Sequence, residues 1–209
     1  MEIGIVGLGR MGSNMARRLA RGGAGVVAWD RDKAKCTELS NEPHVQCADG
    51  LADLALRLSG ERVILLMLPA GEPTQSAIED LLPLLSNSDT LVDGGNSYYK
   101  DSMSRALELS QRGFRFVDAG VSGGIHGLAN GYCLMLGGTA KSVERFEPFA
   151  RILAPAPDTG WLHCGPSGSG HFSKMIANNT QFLRFFAEKI RPTTHTGVIH
   201  STAGRAIQT

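Results

Sequence analysis

Six residues near the start of the chain constrain its fold more than any others: Gly7-Leu8-Gly9-Arg10-Met11-Gly12. They close the apolar run Ile3 to Gly7 and open an amphipathic stretch from Met11 to Arg21. In that strand–turn–helix setting each glycine has its own task. Gly7 permits a tight turn, Gly9 lets backbone N–H groups approach a pyrophosphate, and Gly12 lets the helix pack closely on the strand. The helix N-terminus adds partial positive charge for the phosphates. Leu8, Arg10 and Met11 belong to the same cofactor loop. Asp30 ends the second apolar run, 18 residues after Gly12, where a carboxylate can accept from both ribose hydroxyls of a dinucleotide. A 2′-phosphate would be repelled there, so NAD is the expected cofactor and NADP is disfavoured. Arg31 is the neighbour able to swing to a 2′-phosphate instead.

The rest of the chain continues the alternation. Val26 to Trp29, Val63 to Leu68, Thr90 to Val92, Phe114 to Val117 and Tyr132 to Leu136 are short and apolar, with Trp161 to Cys164 as a closing strand. They lack a polar face, as strands covered on both sides do. Helical spacing fills the intervals at Lys33 to Leu39, Leu51 to Leu58, Thr74 to Leu85, Ser102 to Arg112 and Ser142 to Leu153. This pattern predicts an α/β fold: a Rossmann-type, doubly wound, mainly parallel sheet over residues 1–168. A helix is expected over 169–190, and a poorly ordered tail rich in Thr, His and Gly over 191–209. Met67, Met103, Met135 and the phenylalanines are expected in the core.

Bulk properties narrow the class. A net charge of +1 gives no surface suited to a polyanion, so nucleic acid is not an expected partner. The longest apolar run, Val63 to Leu68, is too short to cross a bilayer, and no membrane association is expected. The opening Met1-Glu2-Ile3-Gly4 enters a strand with no secretory pattern, which predicts a cytoplasmic protein. The four cysteines, Cys36, Cys47, Cys133 and Cys164, form no metal-binding spacing and are expected as reduced thiols. His126 and His171 are expected to be structural, and no metal is expected.

Four later blocks carry a family resemblance. Asp93-Gly94-Gly95-Asn96-Ser97-Tyr98-Tyr99-Lys100-Asp101 resembles a segment of the 6-phosphogluconate dehydrogenases. Asp118-Ala119-Gly120-Val121-Ser122-Gly123-Gly124 is similar to their substrate-binding turn, and Gly131-Tyr132-Cys133-Leu134-Met135 to a mark of their shorter, NAD-linked branch. Gly165 to Met175 resembles the run leading to their catalytic lysine. The 3-hydroxyisobutyrate dehydrogenases share some of these features without the wording of the first and third blocks.

The resemblance implies oxidative decarboxylation of 6-phosphogluconate, a small sugar-acid phosphate, to ribulose 5-phosphate and CO2 in the pentose phosphate pathway. It implies Lys174 as general base and Asn178, one helical turn on, as a ligand of the hydroxyl being oxidised. Asn96 would touch both substrate and nicotinamide ribose. Ser122, Gly123 and Gly124 would hold the substrate, and Leu68, Pro69 and Ala70 would border the cofactor. Alternatives are an NAD-binding module without catalysis and a related 3-hydroxyacid dehydrogenase. The match breaks after Lys174. Ala177 stands where the family has histidine, Gln181 where it has a protonating glutamate, and Phe182 where it has tyrosine. The family continues into a large helical domain that forms most of its homo-oligomer interface. Residues 191–209 do not resemble it, so that domain is expected to be missing.

Overall fold

The structure is a computed structural model, and residues 1–177 are the ones described. An eight-stranded sheet forms its centre, with strand order β3-β2-β1-β4-β5-β6-β7-β8. The strands are β1 (Glu2–Val6), β2 (Gly25–Trp29), β3 (Val45–Cys47), β4 (Val63–Leu66), β5 (Thr90–Asp93), β6 (Arg115–Ser122), β7 (Cys133–Gly138) and β8 (Trp161–Gly165). The first six run parallel; β7 pairs antiparallel with β6, and β8 runs parallel to β7. The expected Rossmann-type, mainly parallel sheet is therefore present. The reversal at β7 follows from its connection. A short glycine-rich link containing α6 (Gly127–Asn130) joins β6 to β7, and so short a link suits an antiparallel return.

Period-two burial divides the sheet into two cores. Ile3, Ile5, Val26, Ala28, Val63 and Leu65 pack with Met15, Ala16 and Leu19 of α1 (Arg10–Arg21) and with Phe146, Phe149 and Leu153 of α7 (Ala140–Leu153). Val6, Val27, Ile64 and Leu66 face the other way. They meet Leu54 of α3 (Leu51–Arg57), Ile78 and Leu81 of α4 (Glu72–Leu81), and Leu109 of α5 (Tyr99–Gln111). Both faces are covered, which explains why the strands show no polar alternation.

Several expectations are corrected. A strand at Val45–Cys47 was absent from the sequence reading; three residues at the sheet edge leave almost no periodic signal. Cys36, in α2 (Lys33–Thr37), is disulfide-bonded to Cys47 in β3, so that pair is not reduced. The folding of α2 back along the sheet brings their Cα atoms to 5.9 Å, a separation that sequence spacing cannot reveal. Met103 and Phe172 lie on the surface, 52% and 41% exposed, rather than in the core. Of the expected helix over 169–190, α8 (Ser169–Ala177) is described; the remainder and the 191–209 tail lie outside the described residues. Among the described residues no helix is long and apolar enough to cross a membrane.

α8 sits on β6 and β7 through glycines. A Cβ on Gly170 would come within 2.3 Å of the Asp118 carbonyl oxygen and 2.4 Å of that of Met135. A Cβ on Gly120 would lie 2.6 Å from both the Gly170 carbonyl oxygen and the Lys174 Cβ. Gly120→Ala should therefore push α8 outward and destabilise the fold by about 1–3 kcal/mol, the range for overpacking. Urea unfolding measures this, and an unchanged midpoint would show that α8 is not held closely against the sheet.

Candidate dinucleotide and lysine site

A cleft of about 660 Å³ crosses the carboxyl ends of the parallel strands. Its floor comes from Trp29 at the end of β2 and Asp30 just after it, Gly7 after β1, Met67 to Pro69 after β4, Gly94 to Asn96 after β5, and Val121 within β6. Lys174 of α8 closes one end. Open parallel sheets bind ligands at this edge because the helix N-termini and crossover loops converge there.

The glycine loop is shaped for close approach. Gly7 has φ +96°, a conformation side chains disfavour. A Cβ on Gly12 would fall 1.9 Å from the Gly7 carbonyl oxygen, so α1 can start here only with glycine. Gly9 is different: a Cβ there would meet nothing within 4 Å. Its face opens on the cleft, leaving room for a group as broad as a pyrophosphate. α1 has no acidic residue in its first turn and no side-chain cap, so its N-terminal N–H groups face the cleft without a competing carboxylate. The donor set and the space thus fit a dinucleotide phosphate.

At the other end the Asp30 carboxylate accepts from Leu8 N at 2.7 Å and from Asp32 N at 2.9 Å. Lys35 Nζ lies 3.5 Å away. Burial pushes this carboxyl up, but the two N–H donors and the lysine outweigh it, so its pKa lies below the ordinary aspartate value. Lys35, Arg31 and Arg10 all line this end. Lys35 escaped the sequence reading because a lysine in a short charged helix carries no distinguishing signal.

The loop bearing Asn96 is held from beneath. Asp93, fully buried at the end of β5, accepts from Gly95 N at 3.0 Å and from the Ser97 hydroxyl at 2.8 Å. The buried Arg105 of α5 pairs with it at 3.2 Å and also donates to Gln75 Oε1 and the Gly71 carbonyl. The second buried carboxylate, Asp118 of β6, accepts from Gly168 N at 2.6 Å and His171 N at 2.9 Å, at the N-terminus of α8. The His171 ring, through Nδ1, shares a 2.7 Å hydrogen bond with the Ser102 hydroxyl, linking α8 to α5. From this seat Lys174 Nζ donates to Asn96 Oδ1 at 3.0 Å. Burial lowers the Lys174 pKa below the ordinary lysine value.

Most of the residues chosen from sequence meet in this cleft: Gly7, Gly9, Arg10, Met11, Gly12, Asp30, Arg31, Leu68, Pro69, Asn96 and Lys174 line it. Leu8 is buried beneath, touching the site through its N–H on Asp30. Ala70 is not among the lining residues, and neither are Ser122, Gly123 and Gly124, which follow Val121 out of the cleft. Asn178, Gln181 and Phe182 lie outside the described residues. Sequence reasoning missed Asp93, Arg105 and Asp118. Asp93 carries a faint signal, since it ends a strand just before Gly94-Gly95; Asp118, inside a strand, and Arg105, on a mostly polar helix, carry none.

Comparison with known proteins agrees with this arrangement. A family described as the NAD binding domain of 6-phosphogluconate dehydrogenase matches residues 2–160. An NAD(+)-dependent, decarboxylating 6-phosphogluconate dehydrogenase of Haloferax volcanii is 38% identical over 182 residues, 87% of this chain and 59% of that protein. An NADP(+)-dependent counterpart from Bacillus subtilis is 35% identical over 186 residues, 87% of this chain and 40% of that one. The chain thus spans roughly two fifths to three fifths of the length of such relatives. Among solved structures, Mycobacterium tuberculosis 3-hydroxyisobutyrate dehydrogenase aligns with a TM-score of 0.76 and 25% identity, covering 85% of this chain and 58% of that one. Plasmodium falciparum 6-phosphogluconate dehydrogenase aligns at 0.79 with 24% identity, covering 85% and 40%, and so shares the fold.

Two measurements test the geometry. Arg105→Leu strands the buried Asp93 carboxylate and should destabilise the protein by about 3–5 kcal/mol, as breaking a buried pair does; a loss under about 1 kcal/mol would show that the pair does not hold the loop. The second concerns Lys174. Between its depressed folded value and the ordinary lysine value, the unfolded chain holds the extra proton, so this group's contribution to stability rises with pH. Lys174→Met should flatten the pH dependence of stability in that alkaline window, read by urea unfolding across pH, and an identical slope would place the amine in water.

Proposed function

Because the chain belongs to the family of NAD binding domains of 6-phosphogluconate dehydrogenase, we propose that it forms the cofactor half of an NAD-linked site for the oxidative decarboxylation of 6-phosphogluconate. The observation that carries this reading is the Lys174–Asn96 pair at one end of a cleft whose other end is the glycine loop and Asp30. NAD, when bound, supplies the acceptor for the hydride that leaves substrate C3.

The chain's own residues handle the proton. Lys174 must be neutral to act as a base, and its burial favours that state. It takes the C3 hydroxyl proton as the C3–H bond gives up its hydride, leaving a 3-keto acid. The resulting ammonium hands that proton to the new C3 carbonyl oxygen as the C1–C2 bond breaks, so CO2 departs, an enediol is left and Lys174 is neutral again. Asn96 orients the amine through its side-chain oxygen and keeps its amide N–H groups for substrate hydroxyls. Ser122, Gly123, Gly124 and Asn178 are proposed as further substrate contacts. The last step, protonation of the enediol at the carbon that was C2 of the substrate, has a glutamine rather than a carboxylic acid at position 181. A glutamine amide does not deliver a proton at neutral pH, so that step should be slow.

NAD is proposed over NADP because the low pKa of Asp30 keeps a negative charge where a 2′-phosphate would lie. Relatives of both cofactor types show that the family itself does not decide this.

Calorimetry with NAD, NADP and 6-phosphogluconate, beside an NADH absorbance assay, tests the proposal. NAD should bind more tightly than NADP, and Asp30→Ala should reduce that preference by about tenfold, equivalent to about 1.4 kcal/mol. Lys174→Met should abolish turnover while leaving NAD affinity within about twofold. NAD heat without 6-phosphogluconate heat or turnover would favour a binding module lacking catalysis. No NAD heat would overturn both.

A further inference from the structure

The disulfide between Cys36 and Cys47 lies beside the adenosine end of the cleft, and the proposed chemistry makes no use of it. It joins α2 to β3, two of the least supported elements of the domain. β3 has three residues, forms the sheet edge and pairs with β2 alone. α2 has five residues, too few to persist as an isolated helix. Besides the disulfide, α2 is held by the Asp32 side chain accepting from Ala34 N at 3.1 Å, by the pairs of Lys33 with Asp49 at 3.9 Å and Lys35 with Asp30 at 3.5 Å, which are exposed or only partly buried, and by the packing of the buried Cys36.

What α2 carries is part of the cofactor site. Lys35 precedes Cys36 directly, lines the cleft, and lies 3.5 Å from the Asp30 carboxylate. Asp32, the residue that caps α2, donates its own N–H to Asp30 at 2.9 Å. Two of the three groups holding that carboxylate thus belong to the element the disulfide pins.

We propose that the Cys36–Cys47 pair is a redox switch on dinucleotide affinity: the bonded form holds α2, Lys35 and Asp30 in the binding arrangement, and the dithiol form releases them. The inference rests on the dinucleotide reading of the cleft. The switching step is thiol–disulfide exchange with a dithiol reductant. The reductant thiolate attacks Sγ of Cys47, the half-buried residue of the pair, Cys36 being buried. The Cys36–Cys47 bond breaks, a mixed disulfide forms, and the second reductant thiol closes on the first. The protein gains two electrons and two protons as two thiols, and the reductant leaves as a disulfide. The other two cysteines do not compete. Burial raises the thiols of Cys133 and Cys164, the latter to about 11, so neither is an effective nucleophile.

Coupling of this kind is reciprocal: if the bond favours NAD, bound NAD must protect the bond. The test titrates NAD by calorimetry into the chain oxidised with glutathione disulfide and into the chain reduced with dithiothreitol. The oxidation state is read by the two-hydrogen mass difference. The oxidised form should bind about tenfold more tightly, and saturating NAD should raise the dithiothreitol concentration needed for half-reduction. Cys36→Ser/Cys47→Ser should match the reduced chain and ignore the reductant; should this variant fail to fold, the wild-type comparison alone decides. Equal NAD affinity in the two states, or failure of the bond to form in the folded chain, overturns the switch while leaving the dinucleotide reading intact. Absence of NAD binding in both states overturns the two together.

Discussion

The grip of one buried carboxylate on the start of a helix decides where the chemistry of this site can be. Asp118 accepts the Gly168 and His171 N–H groups that would otherwise be unpaired at the N-terminus of α8. It lies fully buried in β6, so α8 must come down onto the sheet to reach it. Only glycines at 120, 137 and 170 leave room: a Cβ on Gly137 would lie 2.4 Å from Asp118 Oδ1. With the helix seated, the turn beyond His171 carries Lys174 to the Asn96 loop. Charge and steric constraints act on the same point, and neither alone would fix the lysine.

Asp93 repeats the device one strand away. The register pairs Asp93 with Asp118 across β5 and β6, so two buried acidic side chains are ladder neighbours. Like charges side by side in a sheet are unfavourable unless each is compensated. Here the compensation is divided. Arg105, with the Gly95 and Ser97 donors, serves Asp93, and the α8 N–H groups serve Asp118. The same donors shape the site, since Gly95 leads into Asn96 and α8 carries Lys174. The Ser102–His171 hydrogen bond ties the two arrangements together between α5 and α8.

The sequence revealed those parts of this design that depend on local constraints. A tight turn demands Gly7 and a close helix start demands Gly12, whatever the rest of the chain does, so the cofactor loop was readable. Strands covered on both faces announce themselves as apolar runs, and seven of the eight were anticipated. What remained hidden depends on distant meetings. Arg105 finds Asp93 only because α5 crosses back over β5. Cys36 finds Cys47 only because β3 takes the sheet edge.

The strand order itself accounts for the kind of ligand the cleft can hold. Its lining comes from the ends of β2, β1, β4 and β5 and from β6, five strands that are neighbours in the sheet. At about 4.8 Å between strands, five neighbours span roughly 19 Å. That length suits two nucleotides laid end to end rather than a single one. The two ends also differ in character. Asp30 with its flanking cations is open to water-loving groups, whereas Met67, Leu68 and Val121 give the rest of the lining apolar patches. A lysine in that half-buried setting loses its proton more readily than one in water, because burial disfavours the charged form.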